Sequence, residues 1–211
     1  MKRINKQKKT IFGAVILIVI VAFAYLYVNT VSLQQSMSYW QATIYYTDGT
    51  SRVYTPVTSQ SMLIQDPTTG NTVSRISVEL YAIPVFTGSV TAWTITAAGR
   101  SEIYNTAQMQ IWFSGTGQIS ASGGAIVSNT PVLVSSSTIN SSFLDSTLSG
   151  QPNGNYYYAM NLVQALTMTL TFQGGSQQSL TQPNTNNFQW TFSYIAGQFT
   201  SLSVSWNITP T

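Results

Sequence analysis

The sequence predicts an all-β fold: an antiparallel β-sandwich, Ig-like or jelly-roll-like, with about eight to ten short strands, preceded by one N-terminal transmembrane helix. Three observations carry the prediction. From residue 39 onward apolar side chains recur at every second position, the period of a half-buried strand. The segments between these runs are rich in Gly, Ser and Asn, which favour turns. Ahead of them, residues 11–28 form an apolar run with no charge.

The apolar run reads Ile-Phe-Gly-Ala-Val-Ile-Leu-Ile-Val-Ile-Val-Ala-Phe-Ala-Tyr-Leu-Tyr-Val. As a helix it reaches roughly 27 Å, close to the hydrocarbon thickness of a bilayer. Tyr25 and Tyr27 suit the headgroup boundary at its far end, and Lys2, Arg3, Lys6, Lys8 and Lys9 precede it. By the positive-inside rule this basic tail stays in the cytoplasm and the body lies outside. The expected organisation is a cytoplasmic tail at 1–10, a transmembrane helix or signal-anchor at 11–28, a linker or donor arm at 29–38 and an extracellular β-sandwich at 39–211. The partner of residues 11–28 is the lipid bilayer. Ala22-Phe23-Ala24 also fits a small-x-small cleavage pattern, and cleavage there starts the mature chain at Tyr25.

The strands follow in order. In residues 39–47, Trp40, Ala42, Ile44 and Tyr46 share a face; Asp48-Gly49 then marks a hairpin returning over 52–57. Residues 75–83 place Ile76, Val78, Leu80 and Ala82 inward, with Arg75, Ser77, Glu79 and Tyr81 outward. Residues 90–97 and 108–113 read as strands, and 131–135 as a shorter one. Residues 161–172 turn Leu162, Leu166, Met168, Leu170 and Phe172 one way, interrupted by Gln164. Gln173-Gly-Gly-Ser176 turns the chain before Phe188, Trp190, Phe192 and Tyr194 line the next strand. The last strand sets Leu202, Val204, Trp206 and Ile208 against Ser201, Ser203, Ser205 and Asn207. Residues 114–128 and 135–146 read as Gly/Ser-rich loops, and helical spacing appears nowhere beyond the N-terminal segment.

Charge narrows the function. The 211 residues hold 8 Lys+Arg and 5 Asp+Glu, with no His and no Cys. That is 6% charged, where an ordinary soluble domain has about 25%. Beyond the tail stand Arg52, Arg75 and Arg100 against Asp48, Asp66, Glu79, Glu102 and Asp145, a net of −2. Phosphate recognition needs Lys and Arg clustered on a folded face, so no nucleic-acid partner is expected. Without histidine or cysteine there is no Ser-His-Asp triad, thiolate nucleophile, zinc knuckle or disulfide, and no cofactor or metal site is expected. Only carboxylate chemistry survives, as a hydrolase built on Glu79 and Glu102. Glu79, on an outward position beside Arg75, reads instead as a surface charge, and the chain as non-enzymatic.

Two glycosylation sequons occur, Asn140-Ser141-Ser142 and Asn207-Ile208-Thr209. Tyr156-Tyr157-Tyr158 reads as a strand start or subunit contact, with sugar stacking as the alternative. A fold with few carboxylates and no histidine has little for acid to disrupt, so the body is expected to withstand heat and acid.

A short basic tail, one apolar helix and a lysine-free β domain rich in Ser, Thr, Gln, Asn and Tyr resemble surface-filament subunits and virion surface proteins of thermoacidophilic archaea. The helix-before-sandwich order is similar to archaeal type IV pilins, whose helix packs the filament core; Lys8-Lys9-Thr10 stands where that family has a basic residue followed by Gly or Ala. The chain also looks like the archaeal thread subunits, sandwiches joined by donor strands, and Tyr25-Leu-Tyr-Val-Asn-Thr-Val-Ser-Leu33 would then be the donor arm. The resemblance implies a structural protein that assembles, as a homo-oligomer or with other structural subunits, into a cell-surface filament or a virion exterior. The alternative is a membrane-tethered adhesin or glycan-binding module.

Overall fold

Alternating side chains bury one face of the long strands, and two antiparallel sheets use those faces to enclose one core. The computed structural model describes residues 31–55, 62–65, 71–107, 111–182 and 187–207. The apolar segment 11–28 and the cleavage position after Ala24 lie outside them. The strands are β1 (Ser32–Tyr46), β2 (Ser51–Tyr54), β3 (Met62–Gln65), β4 (Val73–Thr87), β5 (Val90–Asn105), β6 (Ile111–Gly123), β7 (Val132–Asn140), β8 (Gly154–Phe172), β9 (Gln177–Gln182), β10 (Asn187–Ile195) and β11 (Gln198–Asn207). A helix, α1 (Ser141–Leu148), stands between β7 and β8. One sheet runs β2-β1-β4-β7; the other runs β3-β11-β10-β8-β5-β6, with β9 also on β8. The chain is thus all-β and antiparallel, an arrangement consistent with a β-sandwich.

The core follows the expected alternation on β1, β4 and β10. Trp40, Ala42, Ile44 and Tyr46 are buried against Ile76, Val78, Leu80 and Ala82. Phe188, Trp190, Phe192 and Tyr194 all point inward, and Trp190 stacks on Phe192 with centroids 4.4 Å apart. The Asp48-Gly49 hairpin forms as expected, with Gly49 at φ 85° and the Asp48 carboxylate accepting from Thr50 N–H and Oγ1 at 2.9 and 2.7 Å. Those bonds hold the Asp48 carboxyl below the usual carboxylate range.

Five elements depart from the sequence reading. Residues 32–38, expected as a linker or donor arm, form the first half of β1 and pair with β4 from Ser32 opposite Thr87. The Gly/Ser-rich stretch 114–123, expected as a loop, belongs to β6, because pairing with β5 outweighs its weak strand propensity. Residues 141–148, also expected as loop, form α1: Asn140 Oδ1 accepts from Phe143 N–H at 2.8 Å as N-cap, and Leu144 and Leu148, four apart, are buried. β9 carries Gln and Ser on its exposed face and gave no apolar signal. Between β10 and β11 the register shifts from Thr191 opposite Ser203 to Phe192 opposite Ser201, which skips Leu202, turns Phe199 and Ser201 inward with Val204 and Trp206 and leaves Leu202 only partly buried.

Candidate functional site

Each sheet ends in edge strands, and the two sides of the body differ. On one side the edges are β2 and β3, four residues each, and β9, six residues long, which pairs only with β8. On the other they are β6, thirteen residues long, and β7, nine. No strand among the described residues pairs with the second edge of β6. Such an edge presents unpaired N–H and C=O groups, and charged side chains or proline commonly protect it. Residues 111–123 contain neither.

A seam runs between β6 and β7 because the inner face here is built from small residues. Gly115, Gly117, Gly99 and Ser101 pair across β5 and β6, and nothing lies within 4 Å of where a Cβ on Gly117 would stand. A cleft of about 340 Å³ follows these residues and reaches Ser135 on β7 and Met160 on β8. A second, of about 380 Å³, shares Ser101 and continues past Ser137, Tyr158 and Phe143 to Asn140. The Tyr158 hydroxyl meets Ser137 and Ser101, and burial, partly offset by those two hydroxyls, pushes its pKa up to about 12.

The two carboxylates considered for hydrolysis are not brought together. Glu79 on β4 alternates with buried Val78 and Leu80, so it leaves the outer face of the four-stranded sheet. There its Oε2 accepts from Tyr81 Oη at 2.8 Å and Gln41 Nε2 at 3.3 Å. Burial, reinforced by the hydrogen bond and charge of Glu79, pushes Tyr81 up to about 12. The expected neighbour Arg75 lies elsewhere, 4.0 Å from the Tyr45 ring centroid, a cation–π contact. Glu102 on β5 alternates with buried Ile103 in the other sheet. It is only 2% exposed, accepts from Tyr104 Oη and Ser114 Oγ, and has Arg100 Nε at 3.4 Å. Burial, then the hydrogen bond and charge of Glu102, raise Tyr104. Glu79 and Glu102 therefore occupy different sheets and cannot flank one glycosidic bond. Among the described residues no three carboxylates converge into a metal site.

Of the tyrosine triplet, Tyr156 and Tyr158 are core residues, Tyr156 donating to Pro152 O at 2.8 Å; only Tyr157 lies on the outer face. Their strand-start reading fits β8, which begins at Gly154. Asn140 is exposed at the end of β7, opposite Arg75. Its Oδ1 serves the helix cap, which leaves Nδ2, the atom a glycan takes, outside that bond. Asn207 ends β11 opposite Asn187, and its side chain lies outside the described residues. The seam itself was missed from the sequence; the clue was a run of mostly small residues, Gly, Ser, Thr and Ala, through 114–123 without a charge.

Among the described residues no helix is long and apolar enough to cross a membrane. No family model, no characterised protein and no solved structure matches the chain.

Proposed function

We propose that the chain is a non-enzymatic, membrane-anchored structural protein, its body outside the cell or on a virion surface, that assembles side by side with further copies. The observation that carries this reading is β6: a thirteen-residue edge, uncharged and proline-free, on the side where the core also opens into a seam. An edge of this kind pairs readily with another strand. A second copy is the occupant that fits, because two neutral β6 edges pair antiparallel without opposing charges. The basic tail and the apolar run supply the anchor, and the archaeal filament or virion exterior is the setting that the composition favours.

Electron microscopy of the full chain in vesicles tests the assembly. Ordered arrays are expected, dispersing when Ser120→Lys places a charge on the exposed face of β6. Arrays unchanged by that substitution refute assembly through this edge. The cleft from Ser101 to Asn140 favours a second reading, an adhesin holding a neutral sugar among hydroxyls. Tight oligosaccharide binding by a monomeric chain, weakened by Ser137→Leu, would support it. Asn140 is also proposed to carry an N-glycan, read as a mass increment lost in Asn140→Gln.

A further inference from the structure

The chain enters the two-sheet body at an end where its first residues are held. Gln178 on β9 treats the start of β1 as a strand would: its Oε1 accepts from Leu33 N–H at 2.7 Å and its Nε2 donates to Val31 O at 2.9 Å. Gly88, at φ 96°, sits so close that a Cβ there would come within 2.7 Å of Val31 Cγ1. Only Asn29 and Thr30 separate Val31 from Val28, the end of the apolar run. Three Cα steps span at most about 11 Å. If residues 11–28 cross the bilayer, this end of the body lies within that distance of the apolar run's last residue.

The same end lacks charge. It carries the turns 87–89 and 173–176 and the crossing 124–131, tied back where Ser128 Oγ accepts from Phe86 N–H at 2.9 Å and Asn129 N–H donates to Pro84 O at 2.8 Å. None of these segments contains Asp, Glu, Lys or Arg. The charges of the described residues gather toward the far end. Asp48 sits in the opposite hairpin, Arg75 pairs with Tyr45, and Asp145 lies beside Gly197. The charges nearest the entry are Glu79, opposite Gln41, and Arg100, opposite Asn161. From Ser32 to Gln41 the strand rises roughly 30 Å. Along that length the outer face of β8 and β9 is a neutral ladder: Thr167 with Thr181 at 3.0 Å, Thr169 with Ser179 at 2.7 Å, and Gln177 donating to Thr171 at 3.2 Å.

A charged side chain pressed toward a low-dielectric slab loses hydration that a hydroxyl largely does not need. The charge-free end and the exit toward the apolar segment coincide, and that end also shows Val127, 73% exposed, with Ile126 beside it. We propose that this end is a lipid-facing surface: the turns 87–89, 124–131 and 173–176 rest on the outer leaflet, with Val127 entering the headgroup boundary. The inference rests on the membrane-anchor reading above. It sets the strands steeply to the membrane and turns the β6 edge sideways, toward copies in the same plane.

The test places a nitrobenzoxadiazole fluorophore on a single thiol in the full chain, reconstituted in phosphatidylcholine vesicles that contain nitroxide-headgroup lipid. Val127→Cys and Ser89→Cys probe the near end, Thr50→Cys the far hairpin; the chain has no other cysteine. Quenching at least twofold stronger at both near positions than at position 50 is expected. Equal quenching at all three, or none at the near pair while the chain floats with vesicles after an alkaline wash, overturns the lipid-facing surface and leaves the anchor standing. A chain that fails to float overturns the anchor and the inference together.

Discussion

Strict alternation along the last strand makes Leu202 a core residue and Ser201 a surface one; the register shift on β11 reverses them. Ser201 is 1% exposed and its Oγ accepts from Trp190 Nε1 at 2.9 Å, while Leu202 is only partly buried. Ser201→Ala strands the buried indole N–H, a loss of about 1–3 kcal/mol. At roughly 2–4 °C per kcal/mol for a body of this size, a loss of about 2 kcal/mol lowers Tm by about 4–8 °C. Leu202→Ala removes little buried surface and costs less than about 1 kcal/mol, against about 2–5 for a core leucine. Thermal and denaturant unfolding of the two variants in detergent, followed by tryptophan fluorescence, ranks them. A larger loss in Leu202→Ala than in Ser201→Ala refutes the shifted register.

Four further outcomes follow from the same geometry. Tyr158, raised from 10.0 to about 12 chiefly by burial, contributes stability fully present below about pH 10 and lost as pH rises through about 12. Two pH units correspond to about 2.7 kcal/mol, so Tyr158→Phe should flatten the alkaline limb of an unfolding-free-energy-against-pH curve by about that amount; an unchanged limb contradicts the assignment. In acid, Asp48 contributes stability present above the ordinary carboxylate pKa and lost as pH falls through its lowered value, and Asp48→Asn should remove that dependence. With few carboxylates to protonate, Tm at pH 2–3 should lie within about 10 °C of that at pH 7, and a drop of tens of degrees contradicts the expectation. Gly123→Ala drives a Cβ to 2.6 Å from the Trp93 ring and should cost about 1–3 kcal/mol, whereas Gly117→Ala, facing open space, should leave unfolding within about 0.5 kcal/mol of the parent.

The parts legible in the sequence were those with one apolar face and one polar face. β4 from Ile76 onward and β10 as far as Tyr194 alternate without interruption, and the buried residues expected there match the reading position by position. Gln164 broke the pattern on β8 because it pairs with Ala98 between two register shifts, at Thr96/Ala98 and at Ala98/Gly99, and stands exposed there while the even-numbered residues on either side are buried. β6 was hidden because an edge strand beside an open seam buries little, so Gly and Ser suffice. α1 was hidden because eight residues hold only two buried leucines. Charges were visible as letters but not as partners. That Glu102 is buried beneath Tyr104 and Arg100, or that Arg75 stacks on Tyr45 instead of pairing with Glu79, depends on which strands meet. The seam required all of these at once, since its walls come from β5, β6, β7 and β8.

Disulfide trapping along β6 reaches the central claim most directly, because a chain without cysteine gives each introduced thiol a single partner, its own copy. Thr116→Cys, Gln118→Cys and Ser120→Cys stand on the exposed face of β6, with Thr50→Cys in the far hairpin as reference. Facing residues of an antiparallel pair bring Cβ atoms to about 4.5–5.5 Å, near enough for a disulfide. In vesicles under mild oxidation, at least one β6 position should yield covalent dimer well above the position-50 reference, and Ser122→Lys in the same chain should abolish it. Cross-linking at none of the three above that reference would contradict assembly through this edge.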